Sequence, residues 1–144
     1  MGPRSNVAAG PWDYFVQMPE HPPLIAIVDD EDAVRKALKR LLMSAGFEVD
    51  MYADGRAFLS SLRTRAPRCV VLDLHMPLVS GLEVQERLAA VRSTLPVIVI
   101  TGHDSDSTRT TALANGASAY LRKPVDEQVL LDAIAVAISR TATA

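Results

Sequence analysis

The chain has one cysteine, Cys69, which excludes an internal disulfide and any cysteine-rich zinc site. No apolar run approaches the roughly 20 residues that span a bilayer. No cluster of Lys and Arg followed by an apolar stretch opens the chain. No membrane association is therefore expected, and the cytoplasm is the expected location. Neither sign of charge dominates: 15 Lys and Arg stand against 17 Asp and Glu, a formal charge of −2. A polybasic surface for direct nucleic-acid binding is not expected from that balance. Aromatic residues are scarce, at 5% of 144 residues. What is present is a globular composition, 49% hydrophobic and 22% charged, of a length that suits one domain.

Residues 1–23 differ from the rest. Pro3, Pro11, Pro19, Pro22 and Pro23 interrupt any period. Trp12, Tyr14 and Phe15 nonetheless cluster there. This leader reads either as a disordered segment or as an arm whose aromatic cluster packs on the domain or on a partner. From Leu24 to Arg140, apolar runs alternate with amphipathic stretches. Leu24–Val28, Cys69–Leu72 and Pro96–Ile100 are continuous apolar runs, the pattern of strands buried on both faces. Shorter strands are expected over 47–52 and 117–121. Helices are expected from Val34 to Ala45, ended by Gly46, and around Phe58, Leu59 and Leu62. Others are expected over 82–92, with Leu88 and Val91 inward, and over 105–115, with a stop at Asn115-Gly116. A final helix is expected over 126–139, with Val129, Leu130, Ala133, Ile134, Ala137 and Ile138 inward. Residues 141–144 are expected to form a short tail.

Five β-then-α units predict an α/β fold: a doubly wound, flavodoxin-like (βα)5 domain around a five-stranded parallel sheet. Ligands in such sheets sit beyond the carboxyl ends of the strands. Those ends carry Asp29 and Asp30, Asp73, Thr101, and Lys123. Carboxylates crowded together repel one another, and a hard divalent cation such as Mg²⁺ or Mn²⁺ relieves the repulsion. A lysine and a threonine hydroxyl beside such a cation suit phosphate oxygens. The first turn, Asp29-Asp30-Glu31-Asp32, is the reverse of a glycine-rich loop and disfavours a dinucleotide. A carboxylate can itself accept a phosphoryl group, and Asp73 stands at the end of the middle buried run.

The segment Val70-Val71-Leu72-Asp73-Leu74-His75-Met76-Pro77, followed by Gly81, resembles the phosphoacceptor motif of response-regulator receiver domains. The pair Asp29-Asp30, Thr101 and Lys123-Pro124 match the same pattern in order. The resemblance covers residues 24–140. It implies that Asp73 accepts a phosphoryl group from a histidine kinase or histidine phosphotransfer protein. It implies Mg²⁺ held by Asp30, Asp73 and the His75 backbone carbonyl, with Asp29 assisting. Lys123 would pair with Asp73 and then with phosphoryl oxygens, and Thr101 would move toward the phosphoryl group. Tyr120 takes the position of an aromatic switch that turns inward. The Lys123-Pro124 bond is expected to be cis. The fourth helix, fifth strand and fifth helix are the expected homodimer face, and a downstream protein is the expected target. Phosphorylation and dephosphorylation of the domain itself are the only chemistry expected, so it is not expected to be an enzyme acting on an outside substrate.

Other readings are open at this point. His75 and His103 read as ordinary loop residues or as flanks of the phosphoryl group that control hydrolytic water. Arg35, Lys36, Lys39 and Arg40 read as a solvated face or as part of a donor-docking surface. The Thr101-Gly102-His103 turn resembles receivers joined to DNA-binding output domains, so this chain reads as a single-domain regulator or as a piece of a larger transcriptional regulator. An aspartyl-phosphate phosphatase would also use an aspartate and Mg²⁺. It is disfavoured because His75 stands where that class places a second acid.

Overall fold

The computed structural model describes residues 21–143. The leader cluster of Trp12, Tyr14 and Phe15 lies outside the described residues. Ten elements alternate strictly: β1 (Leu24–Val28), α1 (Asp32–Ser44), β2 (Glu48–Tyr52), α2 (Gly55–Ser61) and β3 (Cys69–Asp73) come first. Then follow α3 (Gly81–Ala90), β4 (Val97–Thr101), α4 (Asp106–Ala114), β5 (Ala119–Arg122) and α5 (Glu127–Thr143). The strands form one parallel sheet in the order β2-β1-β3-β4-β5. Residues 141–143, expected as a tail, continue the last helix.

Two apolar layers explain the continuous hydrophobic strands. Ile25, Ile27, Val71, Ile98 and Ile100 pack against Leu38 and Leu42 of α1 and Leu130, Ile134 and Ile138 of α5. The alternate residues, Ala26, Val28, Val70, Leu72, Val97 and Val99, pack against Phe58, Val84, Leu88 and Ala112 of α2, α3 and α4. With both faces covered, period-two alternation of polarity disappears from β1, β3 and β4.

Local chemistry sets the helix ends. Asp54 caps α2 by accepting from Ala57 N at 2.8 Å. Ser80 and Glu83 form a reciprocal capping box on α3, and Ser105 caps α4 through Thr108 N. Gly46 and Gly116, at φ of 94° and 93°, end α1 and α4 in the left-handed conformation. Two apolar residues expected inward face solvent. Val91 is 74% exposed because α3 ends at Ala90, so it is the capping residue and swings off the helical stripe. Val129 is 48% exposed and lies beside Thr101, Gly102 and Leu121.

The carboxyl end of β3 is held against α3 by Gly81. Its N–H donates to Leu74 O at 3.0 Å. A Cβ there would collide with the Asp73 carbonyl oxygen and sit 2.6 Å from Leu74 Cα. Both obstacles are backbone, so neither can rotate away. Gly81→Ala is expected to destabilise the fold by about 1–3 kcal/mol, the usual cost of overpacking. A urea titration checks this; an unchanged midpoint would show that the loop can relax freely.

Candidate functional site

The strand order reverses between β1 and β3, and the crevice beyond their carboxyl ends holds the acidic residues. Asp29 follows β1 directly and is fully buried. Its N–H donates to Tyr52 O, and its Oδ1 accepts from Glu31 N at 2.9 Å. Asp73, the last residue of β3, is 2% exposed, and its Oδ1 accepts weakly from His75 N at 3.3 Å. Asp30 is exposed at the rim. Carboxylate oxygens from Asp29, Asp30 and Asp73 all lie within 4.8 Å of one another, a group able to hold a metal ion.

Lys123 enters from the loop after β5, with a cis peptide bond to Pro124 as expected. Its Nζ is 2.8 Å from Asp29 Oδ2, 2.9 Å from Glu31 Oε1 and 3.6 Å from Asp73 Oδ2. The expected pairing with Asp73 is thus the longest of three. The buried Asp29 Oδ2 is thus held by the ammonium at the shortest of the three distances. Thr101, the last residue of β4, is fully buried, one residue beyond Ile100, the cross-strand partner of Asp73. Thr101 O accepts from Lys123 N at 2.8 Å. Its Oγ1 accepts from His103 N at 3.0 Å and lies 3.1 Å from His75 Nδ1.

Tyr120 points away from this cluster. Its hydroxyl donates to Asp104 Oδ1 at 2.8 Å, and the Arg109 guanidinium lies over its ring, 5.5 Å from the centroid. Arg35 is also less free than a solvated face requires, since Nη1 donates to Asp29 O at 2.8 Å. Cys69 is buried, which pushes its thiol up to about 12 and leaves it unreactive.

The structure therefore brings together Asp29, Asp30, Asp73, Thr101 and Lys123, with the His75 amide on Asp73 and its ring on Thr101, and leaves Tyr120 outside. Four partners were not identified from the sequence: Glu31 on Lys123, His75 on Thr101, Asp104 on Tyr120, and Arg35 on the Asp29 carbonyl. The run of four acids was a signal for Glu31; the other contacts depend on loop paths that no periodicity encodes.

Electrostatics follow from this crowding. Burial pushes Asp73 up to about 6, with the Asp29 charge adding to it and Lys123 opposing. Burial works against the Lys123 ammonium, yet the surrounding carboxylates outweigh it and hold its pKa above the ordinary lysine value. Lys123 also holds the exposed Glu31 carboxyl below its usual value.

A parallel 2-1-3-4-5 sheet with acids, a threonine and a lysine at its carboxyl edge defines a flavodoxin-like class of α/β proteins. Residues 25–135 match the response regulator receiver domain family, and the chain belongs to that family of two-component signalling modules. It is 40% identical over 120 residues to the response regulator MprA of Mycolicibacterium vanbaalenii, covering 83% of this chain and 52% of that protein. It is 37% identical over 125 residues to the transcriptional regulatory protein FixJ of Azorhizobium caulinodans, covering 87% and 59%. The CheY-like receiver domain protein of Methanospirillum hungatei superposes with a TM-score of 0.80 at 28% identity, covering 85% and 98%. The chain spans about half the length of the curated relatives it matches.

The raised Asp73 has a signed consequence for stability. Its folded pKa of about 6 lies above the unfolded 3.8, so the native state binds this proton more tightly. The associated stability is complete below the unfolded value and is lost as pH rises through about 6. In chelator-treated protein, Asp73→Asn is expected to be the more stable form at pH above 7, by about 1–3 kcal/mol. The gain should shrink as the pH falls below 5. Urea midpoints across that range check it; a gain independent of pH would mean that Asp73 is not raised.

Proposed function

We propose that residues 24–140 act as a phosphoaccepting receiver in which Asp73 is the nucleophile. The observation that carries this reading is the position of Asp73: buried at the end of the central strand, with two carboxylates, Lys123 and Thr101 around it. With a pKa of about 6, its carboxylate is mostly ionised at neutral pH. An Asp73 oxygen attacks the phosphorus of a phosphohistidine. A P–O bond forms, the P–N bond breaks, and the departing imidazole takes a proton from solvent. Hydrolysis reverses the modification: water attacks phosphorus, and the acyl phosphate P–O bond breaks to return the carboxylate and free phosphate.

The donor set fits Mg²⁺, with Mn²⁺ as a substitute. It consists of hard carboxylate oxygens from three residues, all within 4.8 Å of one another. Asp30, Asp73 and the His75 backbone carbonyl would hold the ion, with Asp29 assisting. When bound, the cation offsets the negative charge of the phosphoryl oxygens and of the acids. Lys123 supplies a second, fixed positive charge, and Thr101 offers a hydroxyl to a phosphoryl oxygen. Tyr120 would turn inward once its bond to Asp104 is released.

Phosphoryl transfer at one internal residue leaves no role for an outside metabolite, and His75 stands where an aspartyl-phosphate phosphatase places its second acid. The domain is therefore read as a switch and not as an enzyme. The donor is a histidine kinase or a histidine phosphotransfer protein in the cytoplasm. The output is a protein contact on α4, β5 and α5, either a second copy or a downstream target. Leu113, Val129 and Val136 expose apolar surface on the two helices of that face. A second reading makes this chain the receiver of a larger transcriptional regulator, in keeping with its match to about half of such relatives.

Acetyl phosphate and Mg²⁺ are expected to give a single phosphoryl adduct by intact mass. The adduct should vanish in Asp73→Ala and in chelator. An adduct that persists in Asp73→Ala would move the site elsewhere. A wild-type chain that forms none, and whose spectrum beryllofluoride does not perturb, would overturn the phosphoacceptor reading.

A further inference from the structure

Thr101 offers one hydroxyl proton and two acceptor lone pairs. The residue is fully buried, so bulk water does not reach it. Among the described residues, Oγ1 has two hydrogen-bond partners. The His103 amide donates to it at 3.0 Å, and His75 Nδ1 lies 3.1 Å away. The amide can only give a proton. The hydroxyl proton therefore has one acceptor within reach, the Nδ1 lone pair of His75. A buried donor left without an acceptor is costly, so this network selects the His75 tautomer protonated at Nε2. The ring itself is steadied from the neighbouring loop, where the His103 imidazole packs against it at 4.7 Å between centroids and 57° between planes.

We propose that His75 is a positioning residue that holds the Thr101 hydroxyl in the resting state. The inference rests on the reading of Asp73 as phosphoacceptor. A phosphoryl oxygen on Asp73 and His75 Nδ1 compete for the same single proton. Thr101 cannot donate to the phosphoryl group until it releases the imidazole. His75 thereby favours the unmodified arrangement and sets how completely a given degree of modification switches the domain. The ring acts through Thr101 and not on the phosphoryl group, which separates this role from shielding the acyl phosphate from water.

Two measurements test the proposal. Nitrogen NMR of the unmodified protein reads the tautomer directly and needs no ligand. The Nε2–H form is expected, and an Nδ1–H form would overturn the assignment. The second measurement is the apparent dissociation constant for beryllofluoride in the presence of Mg²⁺, followed by backbone chemical shifts. His75→Ala is expected to tighten binding about fivefold, the size of one net hydrogen bond. His75→Asn, whose side-chain oxygen can accept the same proton, should restore a value close to wild type. In a Thr101→Val background, where no hydroxyl is present, His75→Ala should change nothing. Unchanged or weaker binding by His75→Ala overturns the proposal. So does tightening that persists with Thr101→Val, because the effect would then come from ring bulk. If wild type itself does not bind beryllofluoride, the phosphoacceptor reading fails and takes this role with it, whatever the tautomer.

Discussion

The Lys123 ammonium sits among carboxylates that would otherwise repel one another, with Asp29, Glu31 and Asp73 all within 3.6 Å. Asp29 is buried beyond the reach of solvent, and ionised acids at such a depth persist only when paired. The pairing also fixes the chain. Lys123 reaches the crevice because β5 lies beside β4 and its own N–H is bonded to the Thr101 carbonyl. One cation thus joins the carboxyl ends of β1, β3 and β5. The arrangement is not neutral: one ammonium faces three carboxylates, and Asp30 adds a fourth at the rim. A crevice of this kind can take a further cation without rebuilding its walls.

The fold was largely legible because burial on two faces leaves a strong trace. Runs such as Cys69–Leu72 and Val97–Ile100 have no polar alternation, and only a covered parallel sheet accounts for that. The errors fell where period gives way to geometry. Val91 continues an apolar stripe in sequence, but the helix has already ended. Val129 falls at an inward spacing for α5, yet it lies at the first turn, beside the open mouth of the sheet and not over its core. The acids, Thr101 and Lys123 were legible because each sits at the end of a strand whose direction the βα order dictates. The contacts made by His75, Asp104 and Arg35 were not. They depend on where loops travel between strands, and sequence spacing carries little information about that path.

The same loop engages both residues of the proposed switch. Gly102 to Ser105 connects β4 to α4 and contributes the His103 amide to Thr101 and the Asp104 carboxylate to Tyr120. Displacement of Thr101 toward Asp73 would pull on a four-residue connection whose other contact holds Tyr120 outward. Asp104 has further ties, at 3.6 Å to Arg109 and 3.7 Å to Arg122, and these are long and solvent-exposed. Such pairs contribute little individually. The hydroxyl bond to Asp104 and the guanidinium over the ring are then the main restraints on Tyr120.

The helix attached to that loop is the one least tied to the core. α4 contributes a single fully buried side chain, Ala112, whereas α5 contributes Leu130, Ile134, Ala135 and Ile138. Its interior holds Ser107, Thr108, Thr110 and Thr111, which form helix poorly. One buried polar contact compensates: the Gln85 amide of α3 donates to the Ala112 carbonyl at 3.0 Å. That contact is itself incomplete, because the buried Gln85 Oε1 has no hydrogen-bond partner. A helix whose buried anchors are one small side chain and one half-satisfied amide shifts at lower cost than one held by large aliphatic side chains, which loses packing with any movement. Movement set off at Asp73 would therefore run along β4 into its loop and emerge at α4, while α1 and α5 keep the remainder of the sheet fixed.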